Sequence, residues 1–149
     1  MIKVHFTIIN TNHIIIDCKI NGINGKFILD TGASNSCIDL LSADKFDLSY
    51  KKFKEKTSSA SNIIKETFHS KQNTLEIAKL KKTNFEFILF DMKHINDSLN
   101  EKEIHSIDGI IGGDFLAEHN AVINYKNHFD WKFLPYSLKI RSFEKKFRL

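Results

Sequence analysis

The sequence predicts a mostly β chain, and three observations carry that prediction. Ile2-Lys3-Val4-His5-Phe6-Thr7-Ile8 alternates apolar and polar residues with the two-residue period of a half-buried strand. Two further runs, Ile14–Ile20 and residues 85–90, are rich in β-branched and aromatic residues, and the second becomes continuously apolar, as a central strand does. The breaks between such runs fall mainly on Asn, Asp and Ser, because 6 Gly and 1 Pro are too few to make the turns of a β chain by themselves.

Taken in order, Ile2–Ile8 puts Ile2, Val4, Phe6 and Ile8 on one face, and residues 10–12 turn the chain into Ile14–Ile20. Asn21-Gly22 and Asn24-Gly25 supply the positive-φ positions of a tight connection, after which residues 26–29 return as a third strand. Ser36-Cys37-Ile38 reads as a short strand, and Asp39 or Ser42 can cap a helix ending near Phe46. Residues 51–56 are a charged connector and 57–62 a small, polar stretch, followed by Ile63, Ile64 and residues 66–72. Residues 74–78 alternate again, ahead of the strand at 85–90. Residues 96–105 read as a polar loop with a weak helical turn. Gly109–Ile111 is a short buried strand, and Asp114 can cap a helix running to His119. Residues 121–124 and 129–133 pair as a hairpin around 125–127, Pro135 ends it, and residues 137–140 form one further strand.

At 149 residues the chain is one domain, 1–149, long enough to bury about two-thirds of the surface its unfolded form exposes. A 42% hydrophobic content with 13 Phe is incompatible with a disordered composition. The net charge of +4 is spread along the chain. The basic segment 139–148, interleaved with Ile140, Phe143 and Phe147, reads as a solvated strand or tail, so no nucleic-acid partner is expected. Cys18 and Cys37 match neither a metal spacing nor a redox motif, and no disulfide is expected. The 7 His form no zinc signature, and Gly109-Ile110-Ile111-Gly112-Gly113 is not followed by the Gly-Lys-Ser/Thr of a phosphate loop; neither metal nor cofactor is expected. Ser34 and Ser36 lack a nucleophile elbow, and Cys37 lies in an apolar strand as a core residue does. No apolar segment approaches the about 18 residues that span a bilayer, and the first residues do not read as an export signal, so the expected location is cytoplasmic and away from the membrane.

The chemistry concentrates in Phe27-Ile28-Leu29-Asp30-Thr31-Gly32-Ala33-Ser34, where an apolar run ends on a carboxylate. Desolvating such a charge costs roughly several kcal/mol, so an acid directly after Phe-Ile-Leu suggests a purpose. Gly32 allows a sharp turn and the close approach of another chain. Taken alone, the stretch reads equally well as a strand ending in an Asx-type turn capped by Asp30. A second stretch, Asp108-Gly109-Ile110-Ile111-Gly112-Gly113-Asp114-Phe115-Leu116, breaks that tie.

With Asp-Thr-Gly-Ala first and Ile-Ile-Gly ahead of a short helix later, the sequence resembles the retropepsin-like aspartic proteases over roughly residues 14–131. Residues 113–125 look especially like the small bacterial single-domain members, which resemble half of a pepsin-type enzyme. The resemblance implies an acid-protease closed barrel or sandwich with one or two short helices and a flap hairpin. It implies an aspartic endopeptidase with Asp30 catalytic, and Thr31, Gly32, Ala33, Ser34, Ile110, Ile111 and Gly112 supporting the catalytic loop. Ala60, Ser61 and Asn62 would form the flap tip over a peptide or protein substrate. Carboxylate-based peptide hydrolysis needs two acids, and Asp17, Asp39, Asp44, Asp47, Asp91, Asp97, Asp108, Asp114 and Asp130 all sit in polar or turn contexts. The second acid is therefore expected from a second copy of Asp30 across the two-fold axis of a homodimer. Ile2–Ile8 and part of 129–140 are the strands expected to form the dimer sheet. One departure stands out: retroviral members usually carry an Asp after Asp-Thr-Gly-Ala and an Arg after the later Gly, where this chain has Ser34 and Gly113. The alternative from a different class is a peptide- or protein-binding module that keeps the fold and has weak or no catalysis.

Overall fold

A computed structural model describes residues 2–52, 66–100, 106–125 and 136–140. The strands are β1 (Ile2–Ile8), β2 (Ile14–Ile20), β3 (Ile23–Leu29), β4 (Cys37–Asp39), β5 (Tyr50–Lys52), β6 (Phe68–Ile77), β7 (Leu80–Phe90), β8 (Gly109–Ile111), β9 (Val122–Asn124) and β10 (Tyr136–Ile140), with two helices, α1 (Lys93–Asn100) and α2 (Gly113–Glu118). Their order is β5-β6-β7-β4-β8-β3-β2-β1-β10-β9, and an extra β6–β2 pairing closes β6, β7, β4, β8, β3 and β2 into a six-stranded barrel. The expectation of a mostly β closed barrel with short helices is met.

The barrel follows from the alternation. In β2, Ile14, Ile16, Cys18 and Ile20 point inward while Asp17 and Lys19 face solvent. The third strand behaves differently: it ends in three consecutive buried residues, Phe27, Ile28 and Leu29. It lies between β2 and β8, and apolar clusters cover both of its faces. Phe27 and Leu29 enter the barrel core with Phe46, Phe87 and Phe115, while Ile28 joins an outer cluster with Met92, Leu99 and Ile107.

Part of that outer cluster comes from α1, where the sequence reads as a polar loop with a weak helical turn. Among its described side chains, Ile95 and Leu99 supply the apolar face. Asn96 between them is buried and bonded: its Nδ2 donates to Asp39 Oδ2 at 3.0 Å and its Oδ1 accepts from Ile107 N–H at 2.9 Å. A buried, fully bonded Asn holds the helix to the barrel yet looks like a loop residue in a hydropathy pattern.

Other boundaries move for similar reasons. Only Asn21-Gly22 makes the β2–β3 turn, with φ of 51° and 84°. Asn24 and Gly25 lie inside β3, where a Cβ on Gly25 would come within 2.6 Å of the Phe46 ring. The helix expected after Asp39 is a single 3-10 turn, Leu40–Ser42, capped by the Asp39 side chain. Residues 51 and 52 of the charged connector join Tyr50 in β5, an exposed edge strand guarded by Lys51 and Lys52. Strand β6 joins stretches that the sequence separates, because register shifts at Ser70/Asn73 and Asn73/Leu75 interrupt the alternation. Strand β9 pairs with β10, and residues 129–133, its expected partner, lie outside the described residues.

Of the two strands expected to offer a dimer sheet, β1 pairs with β10 over Ile2–Phe6 and with β2 only at Thr7 and Ile8, and β10 lies between β1 and β9. Among the described residues the open edges are β5 and β9. Cys18 and Cys37 are free and buried. Among the described residues no group of acidic, His or Cys side chains is gathered to hold a metal, and no helix is long and apolar enough to cross a membrane.

Candidate active site

Strands β3 and β8 run parallel in the middle of the sheet, with Phe27, Ile28 and Leu29 opposite Gly109, Ile110 and Ile111. Gly109 permits this packing, since a Cβ there would lie 2.2 Å from the Cys37 carbonyl oxygen. Both strands end together, and the Asp30 N–H adds a last rung by donating to the Ile111 carbonyl at 3.0 Å. The apolar run therefore carries Asp30 to the end of a central strand, half-buried, with Thr31 and Gly32 exposed beyond it. Asp30 Oδ1 accepts the Gly32 N–H at 2.8 Å, which is the Asx-type turn. Among the described residues the carboxyl takes no other hydrogen bond.

The loop after Asp30 is fastened to the start of α2. Gly113 N–H donates to Ala33 O at 2.7 Å and Asp114 N–H to Ser34 O at 3.1 Å. Asp114 then reaches back: Ser36 donates its N–H to Asp114 Oδ2 at 2.9 Å and its hydroxyl to Oδ1 at 2.7 Å. The Ser36 hydroxyl accepts the Gly112 N–H at 3.0 Å. Gly112 brings the two segments into backbone contact, because a Cβ there would lie 2.8 Å from Ala33 O, Asn35 C and Asn35 O. The expected capping role of Asp114 is thus corrected. Gly112 holds the N-cap position without a side-chain bond, and the Asp114 carboxylate is engaged with Ser36 and with its neighbour Phe115 N–H.

Ile111 is fully buried in the barrel core. Ile110 lies in the outer cluster with Cys37, and half-buried Ala33 packs against that cluster. Burial pushes the Cys37 thiol up to about 12; a backbone hydrogen bond at Ile110 opposes this, and the charges of Asp114 and Asp30 add to it. A thiol held that high stays protonated and is no nucleophile. Asp108 opens the second motif, but it precedes β8 and therefore lies at the opposite end of the strand from Asp30. It accepts the Lys26 N–H at 2.9 Å, the Ser42 hydroxyl at 3.1 Å and the Lys45 ammonium at 2.8 Å. Ala60, Ser61 and Asn62 lie outside the described residues, in the chain between β5 and β6.

A family model described as aspartyl protease matches residues 16–115, a stretch that holds both the Asp30 loop and the start of α2. The chain belongs to the aspartyl protease family. Its fold is similar to that of a retropepsin-like aspartic protease from Rickettsia conorii, with a TM-score of 0.54 at 16% identity, covering 83% of each chain. It is also similar to the retroviral protease-like domain of Ddi1 from Leishmania major, with a TM-score of 0.53 at 16% identity over 95% of this chain and 97% of that one. EIAV protease complexed with the inhibitor HBY-793 gives a TM-score of 0.52 at 17% identity over 75% of this chain and 92% of that one. A search of the curated proteins gave no match. At these identities the likeness establishes a retropepsin-like fold for this aspartyl protease family member. Sequence reasoning missed the Ser36–Asp114 pair. Its signal was present in the absent viral charges at 34 and 113, which left the loop needing some other fastening to the helix.

Proposed function

We propose that this protein is an aspartic endopeptidase whose catalytic pair is made by Asp30 from each of two copies related by a two-fold axis. The observation that carries the reading is the Asp30 carboxyl itself. It sits at the end of a central strand, beside exposed Thr31 and Gly32, with a single hydrogen bond among the described residues. Asp114, fastened beside the loop, is engaged with Ser36, Asp39 with Leu41, Met92 and Asn96, and Asp108, at the other end of the strand, with Lys26, Ser42 and Lys45.

Two carboxyls about 3 Å apart share one proton, because both cannot be ionised at that separation. The ionised member takes a proton from a bound water, which attacks the peptide carbonyl carbon. The neutral member gives its proton to the carbonyl oxygen. Collapse of the tetrahedral diol breaks the C–N bond, with the amine leaving protonated and the pair restored to one shared proton. Thr31 is assigned to hold the two loops together across the axis. Gly32 lets the copies approach, Ala33 and Ser34 keep the loop uncrowded, and Gly112 leaves room behind it over Ile110 and Ile111. Ala60, Ser61 and Asn62 are assigned to the tip of a lid over an extended, largely apolar peptide segment.

The test is Asp30→Asn assayed on such peptides between about pH 3 and 7, with the oligomeric state followed by sedimentation. The expected result is a dimer whose cleavage falls by about 10²–10⁴-fold in the variant. Unchanged cleavage by Asp30→Asn, or full activity from a monomer, refutes the assignment.

A further inference from the structure

We propose that Asp114 and Ser36 act together as positioning residues, fixing the loop that carries Asp30; the inference rests on the endopeptidase reading only where its activity arm is concerned. The segment from Asp30 to Ser36 is tied to the segment from Ile111 to Asp114 along its whole length. At its start the Asp30 N–H meets Ile111 O at 3.0 Å. In its middle Ala33 O and Ser34 O accept the Gly113 and Asp114 N–H groups at 2.7 and 3.1 Å. At its end stands Ser36, with 0% exposure.

The end tie differs in kind from the others. Ser36 uses both capacities of its hydroxyl, donating to Asp114 Oδ1 at 2.7 Å and accepting the Gly112 N–H at 3.0 Å. Its backbone N–H occupies the other carboxylate oxygen at 2.9 Å. Among the described residues no cation pairs with Asp114, so its charge is balanced by N–H and O–H donors. A carboxylate taking both donors of one buried Ser constrains that residue in position and rotation, and Ser36 closes the loop six residues after Asp30. Neither residue touches the reacting atoms. They act by setting where the Asp30 carboxyl points, and near-attack geometry is steeply sensitive to such placement.

The test uses the full chain, with Ser36→Ala, Asp114→Asn and the double variant. Each is measured for thermal melting, for kcat and KM on a peptide that the parent cleaves, and for amide hydrogen exchange. The expected single-variant result is a retained cooperative melt, kcat lowered by about 10–100-fold and KM within about threefold. Exchange should quicken at the Gly32, Gly113 and Asp114 amides while barrel amides keep their protection. The double variant should lose little more than the worse single one, because the two residues form one device. A folded Ser36→Ala with parental kcat or parental exchange at those amides overturns the proposal, as do strictly additive losses. Loss of cooperative melting in both single variants also overturns it, since the pair would then be part of the core. If the parent cleaves no peptide, the endopeptidase reading fails by itself, and the exchange arm still decides this one.

Discussion

Gly112→Ala tests whether the start of α2 supports the Asp30 loop by direct backbone contact. A Cβ at 112 would lie 2.8 Å from Ala33 O, Asn35 C and Asn35 O, where ordinary contact begins at 3.4 Å. The loop or the helix must therefore retreat by 3.4 − 2.8 = 0.6 Å. All the obstructing atoms belong to backbone, so no side chain can rotate away. Overpacking of this kind costs about 1–3 kcal/mol. At about 2–4 °C per kcal/mol for a domain of this size, Tm should fall by about 2–12 °C. The displaced atoms belong to the Asp30 loop, and a misplacement of about 1 Å can cost about 10²-fold in rate, so cleavage should fall by about tenfold or more. Gly22→Ala separates strain from placement. Gly22 has φ +84° and nothing within 4 Å of its added Cβ. It should lose about 1–2 kcal/mol through backbone strain alone and leave cleavage at the parental rate. Melting curves and steady-state peptide cleavage on both variants decide the matter. The reasoning is refuted if Gly112→Ala melts and cleaves as the parent does, or if Gly22→Ala loses more cleavage than Gly112→Ala.

Two further outcomes follow from the titrating groups. Burial raises both thiols, Cys37 to about 12 and Cys18 well above its ordinary range, so neither should react with a thiol reagent at pH 8 until the chain is unfolded in urea; rapid reaction in native buffer contradicts their placement. The hydrogen bond with His69 holds the Glu86 carboxyl below its ordinary value, against the opposing effect of burial and with help from nearby Lys71. A carboxylate depressed in the folded state adds stability above its unfolded pKa and loses it as pH falls through the folded value. Glu86→Gln should therefore lower stability slightly at pH 7, by less than about 1 kcal/mol for so exposed a pair, and the Tm difference should vanish in acid; a gap that widens as the pH falls refutes the sign.

Much of this fold is readable from the alternation in Ile2–Ile8 and Ile14–Ile20, and the position of Asp30 is readable because Phe27, Ile28 and Leu29 are apolar without interruption. An uninterrupted run means cover on both faces, and an acid at its end means a carboxyl delivered to the edge of the core. Helix α1 is not readable in the same way. The buried Asn96 counts as a loop residue in any hydropathy pattern, and its value lies in hydrogen bonds to Asp39 and Ile107, whose proximity only the fold creates. Gly25 misleads for a similar reason. Asn-Gly signals a turn locally, whereas here the missing side chain makes room for the ring of Phe46, far away in sequence, and that of Phe27, two residues along the same strand. Asp114 shows the same limit. At the start of a short helix an acid reads as a cap, and only the return of Ser36 beside it reveals a different partner.

The exchange of charges between this chain and the viral pattern makes physical sense as two answers to one requirement. A loop that must present a carboxyl in a set direction needs fastening to something rigid, and the first turn of α2 is the nearest rigid element. An ion pair between an Asp at 34 and an Arg at 113 would do this through side chains whose ordering, above all that of the long Arg, costs conformational entropy. With Ser34 and Gly113 in those places, the backbones meet directly, Gly113 N–H against Ala33 O at 2.7 Å. One residue on, the Asp114 carboxylate finds neutral donors on Ser36. The fastening becomes short, buried and without a free cation to be screened by salt. Peptide cleavage should accordingly depend on the Ser36 hydroxyl far more than on ionic strength.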